Sequence, residues 1–106
     1  MKYVYVLTSN ETDFYAEQAV VSIYSLKKFN SGCFVVLVVD SSTNENLING
    51  RELVKNLVDE VIVIDIPPLF SNHQKSRFLK TSLRDIISGD FIFIDTDTII
   101  LGSLDE

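Results

Sequence analysis

Two aspartates one residue apart, Asp95 and Asp97, follow directly on the apolar run Phe91-Ile92-Phe93-Ile94. In extended backbone, residues two apart project to the same side, so both carboxylates would face one space. Carboxylates so placed repel each other unless a cation, a proton or a hydrogen-bond donor separates them. Their hard oxygens suit Mg²⁺ or Mn²⁺, ions that take one or two carboxylates and let substrate phosphates complete the shell. The pair is therefore a candidate metal-ligand set. The same residues would also serve an ordinary turn, with Asp95 capping it and Asp97 solvated.

A second group of chemically capable residues is cationic. His73, Arg77, Lys80 and Arg84 are spaced four, three and four apart, which makes them neighbours along one face of a helix. Leu79, Leu83 and Ile86 form the opposing, core-facing stripe. Like charges at this spacing repel by a few tenths of a kcal/mol, and cations in the opening turns oppose the helix dipole. That small cost favours an anion near Arg77 and Lys80. A solvated face accounts for Arg84, and His73 reads as exposed or capping.

The elements that must position these groups alternate between short β-branched runs and longer amphipathic ones. Strands are expected at Tyr3 to Leu7, Phe34 to Val39, Val61 to Ile66 and Phe91 to Ile94, with a further short one from Thr98 to Leu101. A first helix is expected from about Asp13 to Phe29, with Tyr15, Ala19, Val20, Ile23 and Leu26 as its apolar stripe. A second should open at the capping-box spacing Ser42-Thr43-Asn44-Glu45 and run towards Leu57, weakened at Gly50 by roughly 1 kcal/mol relative to Ala. Pro67-Pro68 should stop the third strand. Ser71-Asn72-His73-Gln74 offers another capping box, opening a helix through about Ser88 that Gly89 ends in a left-handed conformation. Three βα units followed by a strand predict a single α/β domain over residues 1–106. Its sheet should be open and mainly parallel, Rossmann-like, with helices on both faces. Ligands of such sheets sit at the carboxyl ends of the strands, where strand order reverses. Thr8-Ser9-Asn10 and Asp95-Thr96-Asp97 share one crevice if the first and fourth strands are neighbours.

Composition narrows the partners. The 106 residues are 46% hydrophobic and 23% charged, with a net charge of −6 and a pI of about 4.6. Such a chain lacks the broad positive field that drives nucleic-acid binding. No apolar run approaches the roughly 18 residues that span a bilayer. The N-terminal run turns polar at Thr8, too short for a signal peptide. The lone Cys33, followed by Phe34-Val35-Val36-Leu37, reads as a buried thiol in a reducing compartment. The expectation is a cytoplasmic protein.

Leu7-Thr8-Ser9-Asn10 with Tyr15, Ser22-Ile23-Tyr24-Ser25-Leu26, Asp59-Glu60-Val61, Lys80 and Phe93-Ile94-Asp95-Thr96-Asp97-Thr98 together carry a family likeness. In these segments the chain resembles the N-terminal half of GT-A-fold glycosyltransferases of the family 8 type, such as glycogenin and the bacterial lipopolysaccharide glycosyltransferases. The resemblance runs along essentially the whole chain, and its most specific part is the DxD tripeptide. It implies a nucleotide-diphospho-sugar transferase fold, a UDP-sugar donor, and transfer with retention of configuration to a glycan, lipid or protein acceptor. It implies that Leu7, Ser9, Asn10 and Tyr15 line the base and ribose pocket, and that Lys80 contacts the donor, with Arg77 as a second candidate. Asp95 and Asp97 would bind Mn²⁺ or Mg²⁺, with Asp95 also near the ribose; no catalytic side chain is assigned.

The chain departs from the family in length. Family members continue well past the DxD strand, and the later half supplies the acceptor site and a further metal ligand, typically a histidine, which His73 does not match. The expectation is a truncated domain, with weak or absent transfer on its own and an uncovered edge or face open to self-association. Two other readings compete. A haloacid-dehalogenase-type phosphotransferase also carries DxDx(T/V) after an apolar strand, with Asp95 then the nucleophile and Asp97 the general acid, although that family places the motif on its first strand. A non-catalytic α/β binding module would hold metal structurally or not at all.

Overall fold

The computed structural model describes residues 1–10, 13–67 and 69–102. Strand β1 (Lys2–Leu7) leads into helix α1 (Tyr15–Phe29) and strand β2 (Phe34–Asp40). Helices α2 (Ser41–Asn46) and α3 (Leu53–Asn56) connect to β3 (Glu60–Ile64). Helices α4 (Asn72–Thr81) and α5 (Leu83–Ile86) then lead to β4 (Phe91–Phe93). Among the described residues the four strands form one sheet in the order β3-β2-β1-β4, and every pairing is parallel. The chain steps outward from β1 to β3 and then crosses back to lay β4 on the other side of β1. This is the open α/β arrangement that the alternating pattern predicts.

Two apolar layers cover the sheet. Tyr3, Tyr5 and Leu7 of β1 and Val35, Leu37 and Val39 of β2 pack with Ala19, Ile23 and Leu26 of α1 and Val54 of α3. The alternate residues Val4, Val6, Val36 and Val38 pack with Leu79 and Leu83 of α4 and α5 and with Ile87. Because both faces are covered, β1 and β2 read as continuous apolar runs rather than alternating ones. Each fully buried Val, Leu or Ile side chain contributes roughly 1.5–3 kcal/mol by transfer from water. The Tyr5 hydroxyl meets Ser22 Oγ at 2.9 Å inside the first layer. Burial pushes the Tyr5 phenol above its usual range, and this hydrogen bond only partly offsets the shift.

Several elements differ from expectation for local reasons. Helix α1 begins at Tyr15 rather than Asp13, because the Asp13 carboxylate folds back to accept from the amides of Asn10 and Tyr15. Tyr15 stands half out of the core stripe, at 49% exposure. The α2 cap is Asp40, which accepts from the Thr43 amide, rather than Ser42. The second helix is not continuous: Asn49 and Gly50 adopt φ values of 58° and 93°, a left-handed turn that glycine enters without a Cβ clash. The Ser71–Gln74 capping box forms as expected, but its helix breaks at Ser82 before α5 resumes. Gly89 takes the left-handed conformation, with φ 83°.

At the sheet's edges, β3 ends at Ile64, and Pro68 lies outside the described residues. Strand β4 is a half-buried edge strand of three residues, extended by the Ile94 amide donating to the Val4 carbonyl at 2.9 Å. Thr98 to Leu101 is not a strand. Instead the Ile100 amide donates to Ser25 Oγ at 2.9 Å, and Ile100 packs into the α1 layer. Cys33 is half-buried rather than buried, and burial still pushes its thiol up. No helix among the described residues is long and apolar enough to cross a membrane.

Candidate functional site

The sheet reverses its order between β1 and β4, and a cleft of ≈ 370 Å³ opens where the carboxyl ends of these two strands meet. Small-molecule sites run from roughly 300 to 1,000 Å³ and favour such switch points in open α/β sheets. Val6, Leu7 and Thr8 supply one wall from β1 and its exit, and Tyr15 and Gln18 supply another from α1. Asn72, His73, Ser76 and Lys80 face it from α4, and Asp95, Thr96 and Asp97 close it from the segment after β4.

Asp95 and Asp97 both line this space, although by a different geometry from the extended backbone expected of them. The segment turns, closed by the Thr98 amide donating to the Asp95 carbonyl at 3.0 Å. Lys80 Nζ stands 3.5 Å from Asp95 Oδ1, with the two side chains 44% and 58% exposed. The same ammonium lies 5.6 Å from the centre of the Phe93 ring. An ion pair this open to water contributes roughly 0–1 kcal/mol, so a ligand can exchange either partner at little cost.

Other residues singled out from the sequence fall elsewhere. Ser9 is 2% exposed and lies outside the cleft lining. Its amide donates to Thr43 Oγ1 at 2.9 Å and its hydroxyl to Asp13 Oδ1 at 2.6 Å. The Asn10 amide donates to Asp13 Oδ2 at 2.8 Å, and Asn10 Oδ1 accepts from the Asp13 amide at 3.0 Å. These two residues shape the loop after β1 rather than the wall of the cleft. Arg77 is exposed, one turn before Lys80, and is not among the lining residues. Arg84 belongs to α5, beyond the break at Ser82, so it does not continue the α4 stripe.

Thr8 lines the cleft as its place in the Thr8-Ser9-Asn10 segment predicts, whereas sequence reasoning missed Gln18, Asn72 and Ser76. Thr8 Oγ1 donates to the Asn72 carbonyl at 3.3 Å and ties β1's exit to the start of α4. The apolar stripe of α1 could have exposed Gln18, because it falls off the buried face set by Ala16, Ala19 and Ile23. Also unforeseen was a buried pair outside the cleft lining, Lys75 Nζ to Asp40 Oδ2 at 3.3 Å.

Among the described residues, no group of three or more His, Cys, Asp or Glu side chains is placed to hold a metal ion. What the cleft offers is two carboxylates in an open space. That donor set fits a hard divalent cation whose remaining ligands are substrate phosphates and water, and it does not fit an all-protein cage. Comparison with protein-family models finds no match, and comparison with curated proteins finds none either.

Proposed function

We propose that the cleft binds a nucleoside-diphosphate sugar, UDP-linked, through a divalent cation held by Asp95 and Asp97, and that the chain is the donor-binding part of a glycosyltransferase. One observation carries this reading. The exit of β1 and the acidic turn after β4 open into the same cleft, which Lys80 lines while paired with Asp95. The likeness of these segments to GT-A glycosyltransferases agrees with it.

The roles divide by chemistry. The half-exposed Tyr15 presents apolar surface to a base and ribose, and Leu7, buried in the core, backs the wall from β1. Thr8, Asn72 and Ser76 offer hydroxyl and amide groups for a polar ligand's rim. Lys80 adds a cation that can leave Asp95 for a phosphate oxygen, since its present pairing is weak. The divalent ion, when bound, offsets negative charge building on the departing diphosphate without proton transfer. The acceptor is a glycan, a lipid or a protein, and retention of configuration follows from the family likeness alone.

Titration calorimetry with UDP, with and without Mn²⁺, tests the proposal. Binding should require the metal, and Asp97→Asn should weaken it about tenfold or more, a loss of roughly 1.4 kcal/mol. Binding that ignores the metal, or no binding in its presence, overturns the reading.

A further inference from the structure

Residues 47–52 interrupt what would otherwise be one helix, and the reversal at Asn49 and Gly50 brings Arg51 over the loop that follows β1. Its side chain is 14% exposed, and the guanidinium reaches four acceptors. Nη1 donates to the Asn10 carbonyl at 2.6 Å and Nη2 to Ser9 Oγ at 2.6 Å. Nη2 also reaches the Asp13 carbonyl at 3.4 Å, and Nε donates to Glu17 Oε2 at 3.2 Å. The Asp13 carboxylate stands 3.5 Å from the same group. These acceptors belong to Ser9, Asn10, Asp13 and Glu17, so a single planar fork ties the exit of β1 to the first turn of α1.

The loop joins the two parts of the cleft's nucleotide end, Leu7 and Thr8 on one side and Tyr15 on the other. Arg51 is not among the residues that line the cleft. From the far side, the Ser9 amide is held by Thr43 Oγ1, which itself bonds Asp40. Thr43 holds Ser9 alone, whereas Arg51 bonds Ser9, Asn10 and Asp13 together.

We infer that Arg51 is a positioning residue for the nucleotide end of the cleft, holding the loop after β1 in the shape that sets Leu7 and Thr8 against Tyr15. The inference rests on the nucleotide-sugar reading above. Ordering a loop costs conformational entropy, and a loop already held does not charge that cost to the ligand. Lysine cannot replace the fork, because an ammonium is a point charge without the planar set of donors that meets several acceptors at once.

Arg51→Met and Arg51→Lys, made in the full chain, test this with UDP in saturating Mn²⁺, with Mn²⁺ alone, and by amide exchange without ligand. Arg51→Met should raise the UDP dissociation constant about tenfold, with Arg51→Lys in between. Exchange at the Ser9 and Asn10 amides should quicken. Affinity for Mn²⁺ alone should stay within about twofold, because the acidic turn hangs from β4 and not from this loop. UDP binding equal in wild type and variants overturns the role of Arg51 alone. Loss of Mn²⁺ and UDP affinity in equal measure also overturns it, since that marks general loosening. Should wild type bind no UDP, this inference falls with the reading beneath it. Should Arg51→Met fail to fold, Arg51→Lys decides.

Discussion

Two lysines five residues apart on α4 each reach an aspartate near the carboxyl end of a strand, and the two pairs sit in different media. Lys75 meets Asp40, at the end of β2, at 3.3 Å with the side chains 9% and 2% exposed. Lys80 meets Asp95, just past β4, at 3.5 Å with both largely in water. The buried pair is fully engaged, since Asp40 also caps α2 and bonds Thr43, which in turn holds Ser9. The open pair borders a cleft, and each of its members can take another partner. The same two residue types thus serve as internal scaffold or as ligand-binding groups, and desolvation decides which. Inside, an unpaired charge costs several kcal/mol, so the partners are locked together. In water the pairing is nearly free to break.

The largest expected effect separates the pairs by stability. Asp40→Ala should cost about 3–5 kcal/mol in urea unfolding, because it leaves the largely buried Lys75 ammonium without its partner. In a domain whose total stability is of the order of 5–15 kcal/mol, that is a large share. A cost below about 1 kcal/mol would place the buried pair in the same class as the open one. The double replacement Asp40→Leu with Lys75→Met should recover a large part of the loss, since it removes both charges together. If the double variant is no more stable than Asp40→Ala, the penalty comes from the lost cap and the Thr43 bond instead.

Lys80→Met should reverse the pattern. Unfolding free energy should move by less than about 0.5 kcal/mol, while UDP affinity in Mn²⁺ should fall about three- to tenfold. A stability loss larger than the binding loss would make Lys80 part of the scaffold. The smallest effect is in salt. A double-mutant cycle on Lys80 and Asp95 should show a coupling of roughly 0.2–1 kcal/mol that fades between about 0.05 and 0.5 M NaCl. The coupling of Lys75 to Asp40 should change much less over that range, because salt screens buried pairs less than exposed ones. Equal salt sensitivity in the two cycles would contradict the difference in burial.

Much of the layout was legible from local pattern. The first four β-rich runs, the Ser71-to-Gln74 capping box and the positive φ at Gly89 depend on a few neighbouring residues, and each took the form its sequence predicts. The break at Asn49 and Gly50 was visible only as a weak point in a helix, because whether a chain continues or reverses there depends on what Arg51 and Leu53 meet afterwards. Thr98 to Leu101 looked like a strand by composition, yet the Ile100 amide donates to Ser25 Oγ and its side chain packs into the α1 layer. A short apolar stretch follows whichever surface lies nearest.

The candidate site divides in the same way. By itself the sequence determined that Asp95 and Asp97 would leave an apolar strand together, and that Lys80 would sit on a cationic helix face, because both follow from spacing along a single element. Only the tertiary structure decided that β4 lies beside β1, that Lys80 reaches Asp95 while Lys75 is sealed against Asp40, and that Ser9 and Asn10 turn towards Arg51 rather than the cleft. Each of these depends on contacts between residues far apart in the chain, where the cost of removing charge from water, and not residue type, selects the partner.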